Sequence, residues 1–249
     1  MRNALSLGFV PFLALIAGFC PSALPVMQEN PEELLKQKMA LVSCYDDQWK
    51  ARGSKISESA VLESPDGRSR AKVIVKTMYD SEAEKAPQGS HRIECANVSQ
   101  LFVAHAKNGS PSLVFTAVPL FESNEPGNDI ELADWSKDSR FLVATYLKWA
   151  YFSDWYHFDL LVYDSQTNQT MHPNVESMFS HRTGKQCSIE VQARGFAEDG
   201  VTPVIEAWDA PEEESCIGQA SFWRVDLKEN VVSPVPKGFQ MQRYGRVAR

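Results

Sequence analysis

The 249-residue chain has no run of lysine or arginine: 25 basic residues are scattered among 32 acidic ones, for a net charge of -7. Nucleic acids and anionic membrane surfaces need clustered cations, so neither is expected as the main partner. The acidity is most simply a solubility feature. No Cys-x-x-Cys or similarly close cysteine pair occurs, which removes the usual zinc frameworks. There is no Gly-x-Ser-x-Gly elbow and no His-Glu-x-x-His helix motif. The acidic stretches 124–134 and 211–215 lack the spacing of a calcium loop and read as solvated loops. No metal and no cofactor is therefore expected. Beyond the first residues, no stretch is long or apolar enough to cross a bilayer.

What is present begins at the N-terminus. Arg2 precedes an apolar run from Ala4 to Cys20, no charge follows until Glu29, and the small residues Ser22 and Ala23 offer a cleavage point. This is the pattern of a secretory signal peptide over residues 1–23. The run is short for a retained anchor, and Phe19 is too large to precede a lipidated Cys20. The expected compartment is secreted or periplasmic. With Cys20 removed, Cys44, Cys95, Cys187 and Cys216 remain. An even number in an exported chain points to two disulfides, with three connectivities open.

The longer signal is internal repetition. Asp66, Asp138 and Asp199 each precede Gly or Ser (Gly67, Ser139, Gly200), a pair suited to a hairpin turn with positive φ. Three residues before each aspartate stand Glu63, Trp135 and Phe196, and a strand-like stretch follows each turn. A second landmark recurs at 101–109, 160–168 and 222–230, an apolar strand running into a polar turn, with Asp164 and Asn168 spaced like Asp226 and Asn230. The landmarks lie 26 and 27 residues apart in the later copies and 38 in the first, where a polar insertion intervenes. The period is about 60 residues, and several short strands per unit predict repeated antiparallel sheets.

The turn Ser-Pro-Asp-Gly at 64–67, and Trp-Ser-Lys-Asp-Ser at 135–139 followed by Leu-Leu-Val-Tyr-Asp at 160–164, resemble the TolB-like, WD40-like β-propeller repeat. The resemblance covers about residues 55–236 and implies an all-β fold of about three propeller-like blades. Propellers usually close with four to eight blades, because an incomplete ring exposes both ends. A homodimer closing a six-bladed ring, a fourth blade from the flanks, or a compact β-sandwich would each answer this. The flank at 24–54 carries helix signals: Asn30 as cap, Pro31 next and Glu33 three on from the cap, then Leu34, Leu35, Met39 and Leu41. It predicts a short helix able to cover a sheet edge. Residues 237–249 form a C-terminal tail.

In the repeat alignment Cys95 and Cys216 each stand six residues before an equivalent strand. Pairing within each unit then predicts Cys44–Cys95 and Cys187–Cys216. The echo Ser-His-Arg at 90–92 and 180–182, shortly before Cys95 and Cys187, points to a different equivalence.

The densest feature is Lys-Trp-Ala-Tyr-Phe-Ser-Asp-Trp-Tyr-His-Phe at 148–158, with six aromatics in eleven residues. As one strand it would put Trp149, Tyr151, Trp155 and His157 on one face and Phe152, Tyr156 and Phe158 on the other. Aromatics beside a turn pin a hairpin by cross-strand packing; exposed, they anchor a partner. Trp149, Tyr151, Trp155 and Tyr156 are the candidate binding residues, for a protein or cell-envelope component. Catalysis by an exported hydrolase is the alternative, with His91, His181, Asp134 and Asp154 as its first candidates. His105, His157 and His172 fall in or beside strands and receive no role. Asn97, Asn108 and Asn168 stand in glycosylation sequons, relevant only if the host glycosylates secreted chains.

Overall fold

In the computed structural model, the three aspartate turns close three hairpins with one set of bonds. The first residue's N–H donates across the hairpin in each copy: Ser64 to Ser69 O at 2.9 Å, Ser136 to Phe141 O at 2.7 Å, Ala197 to Thr202 O at 2.8 Å. Each aspartate Oδ1 accepts from the backbone N–H two residues on, at Arg68, Arg140 and Val201. The fourth position is left-handed in all three, with φ of 70° at Gly67, 64° at Ser139 and 77° at Gly200. Glycine enters that region without a Cβ penalty, whereas serine must be held there.

The structure describes residues 50, 52–82, 85, 95–106, 109–117, 126–150, 156–210, 215–218, 221–236 and 238–248. The signal segment, the expected helix after Asn30, and Cys20 and Cys44 lie outside them.

Around each turn an antiparallel meander has formed, and the described chain is all-β apart from one helix. The first sheet holds β1 (Lys55–Glu58), β2 (Val61–Glu63), β3 (Ser69–Tyr79), β4 (Cys95–His105) and β5 (Ser112–Ala117), with β1 pairing beside β2 on β3. The second runs β6 (Pro126–Trp135), β7 (Phe141–Ala150), β8 (Tyr156–Asp164), β9 (Gln169–Met171), followed by α1 (Val175–Thr183). The third runs β10 (Ile189–Phe196), β11 (Pro203–Asp209), β12 (Phe222–Asp226), β13 (Val231–Pro234). Asn168 and Asn230, with φ of 55° and 57°, take equivalent left-handed positions in the turns after β8 and β12.

The second sheet packs between the other two, and its sequence shows why. In β3 the residues Ala71, Val73 and Val75 are buried and alternate with Arg70, Lys72 and Ile74, as a sheet with one wet face requires. In β8, Leu160, Leu161, Val162 and Tyr163 are all buried in succession. Leu161 and Tyr163 face the first sheet's core with Trp135 and Leu142, while Leu160 and Val162 join the third sheet's core with Val191 and Trp223. The turns lock the stack at one end. Asp66 N–H donates to Ser139 Oγ at 3.1 Å, which explains a serine in the left-handed position, and Lys137 N–H donates to Gly200 O at 2.8 Å. A Cβ at Gly200 would lie 2.5 Å from Lys137 Cβ, so close approach and φ both demand glycine there.

Two elements have no counterpart in the sequence expectations. The helix α1 is nine residues long, capped by Asn174, whose Oδ1 accepts from Ser177 N–H at 2.8 Å, and ended by Gly184 with φ 70°. The residues expected as a tail run past all three sheets. Gln242 bridges Phe196 of the third, Arg243 donates to Ala133 O of the second, and β14 (Arg246–Ala248) pairs with β2 of the first. Asp134 anchors this strap. Its carboxylate accepts from its own sheet at Trp135 N–H (2.9 Å) and from the strap at Tyr244 N–H (3.0 Å) and Gly245 N–H (2.7 Å). Cys187 and Cys216 form a disulfide as expected from the repeat; the partner proposed for Cys95 lies outside the described residues.

Candidate functional site

The alternation that assigned the 148–158 aromatics to faces is reset by the connection between β7 and β8. Trp149 pairs with Tyr156 in register and Lys148 with His157, so Trp149 shares its face with Tyr156 and Phe158, and His157 lies on the other. Of the four expected binding residues, Tyr151 and Trp155 lie outside the described residues. Trp149 is half-buried and lies against Gly127, where a Cβ would come within 2.1 Å of its ring. Tyr156 is 45% exposed. Its ring meets Phe158 edge-on at 5.6 Å, and Phe158 meets Trp208 of the third sheet at 5.4 Å, so an aromatic row spans the second and third sheets.

Beside this row, β9 ends early and leaves the first half of β8 as an edge. Glu190 of β10 reaches to it. Its Oε2 accepts from Phe158 N–H at 2.5 Å, and its Oε1 lies 3.1 Å from His157 Nδ1. On the other side of the ring, Nε2 lies 3.0 Å from Asp159, which also takes Lys148 Nζ at 2.6 Å. A histidine between two carboxylates keeps its proton: the bonds to Asp159 and Glu190 raise its pKa to about 9, against burial that opposes them. Burial pushes the Asp159 carboxyl up, but the bonds from His157 and Lys148 outweigh it and hold it at about 2.

A cavity of about 390 Å³ opens against these residues, walled by Tyr146, Lys148, Asp159, His172, Glu176 and Val191 among others. His172 differs from His157. Burial lowers its pKa, its ring packs on Phe115 at 5.0 Å and on Tyr146 at 5.9 Å, and among the described residues its nitrogens meet no hydrogen-bond partner. A ¹H–¹⁵N titration should therefore place the His157 midpoint near pH 9, and that of His172 below the ordinary value of about 6.5. The folded pKa of His157 exceeds its unfolded value, so its contribution to stability is complete below about pH 6.5 and is lost as pH rises through 9. A His157 midpoint near 6.5 would contradict the ion cluster.

Of the residues first tried for hydrolysis, two are described, and they serve separate parts of the fold. Asp134 holds the strap, His181 is exposed in the last turn of α1, and His91 and Asp154 lie outside the described residues. Asn97 is fully buried in β4, so its sequon is closed in the folded chain. The network of His157 is only half visible in the sequence: Asp159 stands two residues on in β8, whereas Glu190 comes from β10. Among the described residues, no cluster of three or more His, Cys, Asp or Glu side chains is arranged to hold a metal ion, and no helix is long and apolar enough to cross a membrane. Comparison with protein-family models and with curated proteins gives no match, so the chemistry of this end of the sheets rests on its own geometry.

Proposed function

We propose that the chain is an exported binding module of propeller-like sheets, which recognises a protein or cell-envelope component through the surface around Tyr156, where β8 begins. The carrying observation is the exposed Tyr156, backed by Phe158 and Trp208, beside a cavity whose ionic groups are already engaged. Lys148 is held by Asp159, His157 by Asp159 and Glu190, and Glu176 Oε1 accepts from Ile189 N–H at 3.3 Å. A protonated, doubly bonded imidazole is no general base at neutral pH, whereas a rigid aromatic row with an unbonded neutral histidine is suited to contact. The Cys187–Cys216 disulfide supports an oxidising compartment.

The test is retention of solubilised envelope components from the producing cell on immobilised wild-type chain and on Tyr156→Ala, read by mass spectrometry. A component kept by wild type and lost by the variant, at an unchanged unfolding transition, supports the reading. Identical retention by both removes this surface from consideration.

A further inference from the structure

At the opposite end of the molecule, we propose that Ser69 is an acylatable serine, activated by His105 and open to small acyl esters. The two residues face each other across β3 and β4, and Ser69 Oγ lies 3.3 Å from His105 Nδ1. Register alone would bring such a pair together. What gives it direction comes from the second sheet. Tyr163 OH donates to Asn168 Oδ1 at 2.8 Å, so its oxygen is left to accept from His105 Nε2, 2.9 Å away. The proton of His105 then sits on Nε2 and the lone pair of Nδ1 faces the serine hydroxyl, the tautomer a base needs. Burial, and then the nearby Asp164, push the Tyr163 hydroxyl up to about 12, so it holds and orients the ring without surrendering its own proton.

The pair opens into a cavity of about 690 Å³ between the turns of the first two sheets, lined also by Arg68, Ser139, Arg140 and Ser165. Asp66 and Asp138 line the cavity as well, Arg140 is held by Asp164 at 2.8 Å and Arg68 lies 3.9 Å from Asp66, so the proposal rests on the serine–histidine–tyrosine geometry and not on the charge of the cavity. Ser69 itself is 6% exposed, which restricts access to small acyl groups. In the step proposed, Ser69 Oγ bonds to the carbonyl carbon as His105 Nδ1 takes its proton. The bond to the leaving alkoxide breaks, and that oxygen takes the proton from His105. Water, deprotonated by the same nitrogen, then attacks the acyl carbon; its bond to Ser69 Oγ breaks, Oγ takes the proton back from His105, and the carboxylic acid leaves.

The oxidised full chain, treated with p-nitrophenyl acetate and separately with a fluorophosphonate, reads this directly by intact mass and peptide mapping. A single adduct is expected on Ser69, absent from Ser69→Ala, forming about 100-fold more slowly in His105→Gln. Tyr163→Phe should slow it by a smaller factor, since it loses orientation alone. The proposal is overturned if wild type takes no adduct, if the adduct maps elsewhere, or if its rate on Ser69 is unchanged in a folded His105→Gln. The wild-type adduct map decides even where a variant does not fold. Loss of partner retention in Tyr156→Ala bears on the other end and leaves this result independent.

Discussion

Replacing Asp134 with alanine is expected to cost about 3–5 kcal/mol in denaturant unfolding, because three backbone donors lose their shared acceptor in a buried site and each such loss costs about 1–3 kcal/mol. The residue is 1% exposed, so water cannot replace the carboxylate without opening the junction. Asp134→Asn should cost less: its single oxygen still serves Trp135 and Gly245, and its amide meets the Tyr244 N–H unfavourably. An independent variant reaches the same junction from the strap. A Cβ at Gly245 would stand 2.9 Å from Asp134 Oδ1 and 3.2 Å from Leu62 Cδ1, so Gly245→Ala should also destabilise. An unfolding midpoint within error of wild type for both Asp134→Ala and Gly245→Ala would mean that the strap contributes nothing.

Removing the disulfide should have an effect of the same order. Cys187 and Cys216 are 29 residues apart, and closing a loop of that length stabilises by about 3–4 kcal/mol, chiefly by restricting the unfolded chain. The bond joins the segment between α1 and β10 to the one between β11 and β12, so it fixes the chain where it leads into β10 and into β12 of the third sheet. Both sulfurs are buried, at 6% and 7% exposure of their residues. The double variant Cys187→Ala, Cys216→Ala should keep its strands by circular dichroism while its urea midpoint falls. A loss under about 1 kcal/mol would show that the unfolded chain is already restricted there.

The repeat was the legible part of the fold, because its information is local. An aspartate, a glycine or serine, and a following alternation specify a turn and a strand by themselves, and Gly67, Ser139 and Gly200 share one backbone conformation. The switch from alternation in β3 to the unbroken apolar run in β8 marks the sheet with neighbours on both faces, a signal that was present in the sequence but has no counterpart in the sequence expectations. Non-local pairings were not legible. Gln242 beside Phe196, Tyr244 beside Asp134 and Val247 beside Leu62 join segments that share no pattern. The helix α1 had its signals in Asn174 and Gly184, but a nine-residue helix between two sheet repeats is easily read as a loop. At the candidate sites, single residues were visible and their partners were not. His157 takes one partner, Asp159, from its own strand and the other, Glu190, from another sheet, and His105 meets Tyr163 across sheets, so both networks are complete only when the sheets have packed.

The pairing of β2 with β14 also has a consequence for synthesis. Val61–Glu63 is translated well before Arg246–Ala248, and among the described residues no other strand pairs with that edge of β2. A nascent or truncated chain would display the edge to its neighbours, and an unpaired edge is a template for association. Folding of the first repeat is thus finished by a strand made after all three meanders, and a chain stopped short of residue 246 should be more prone to self-association.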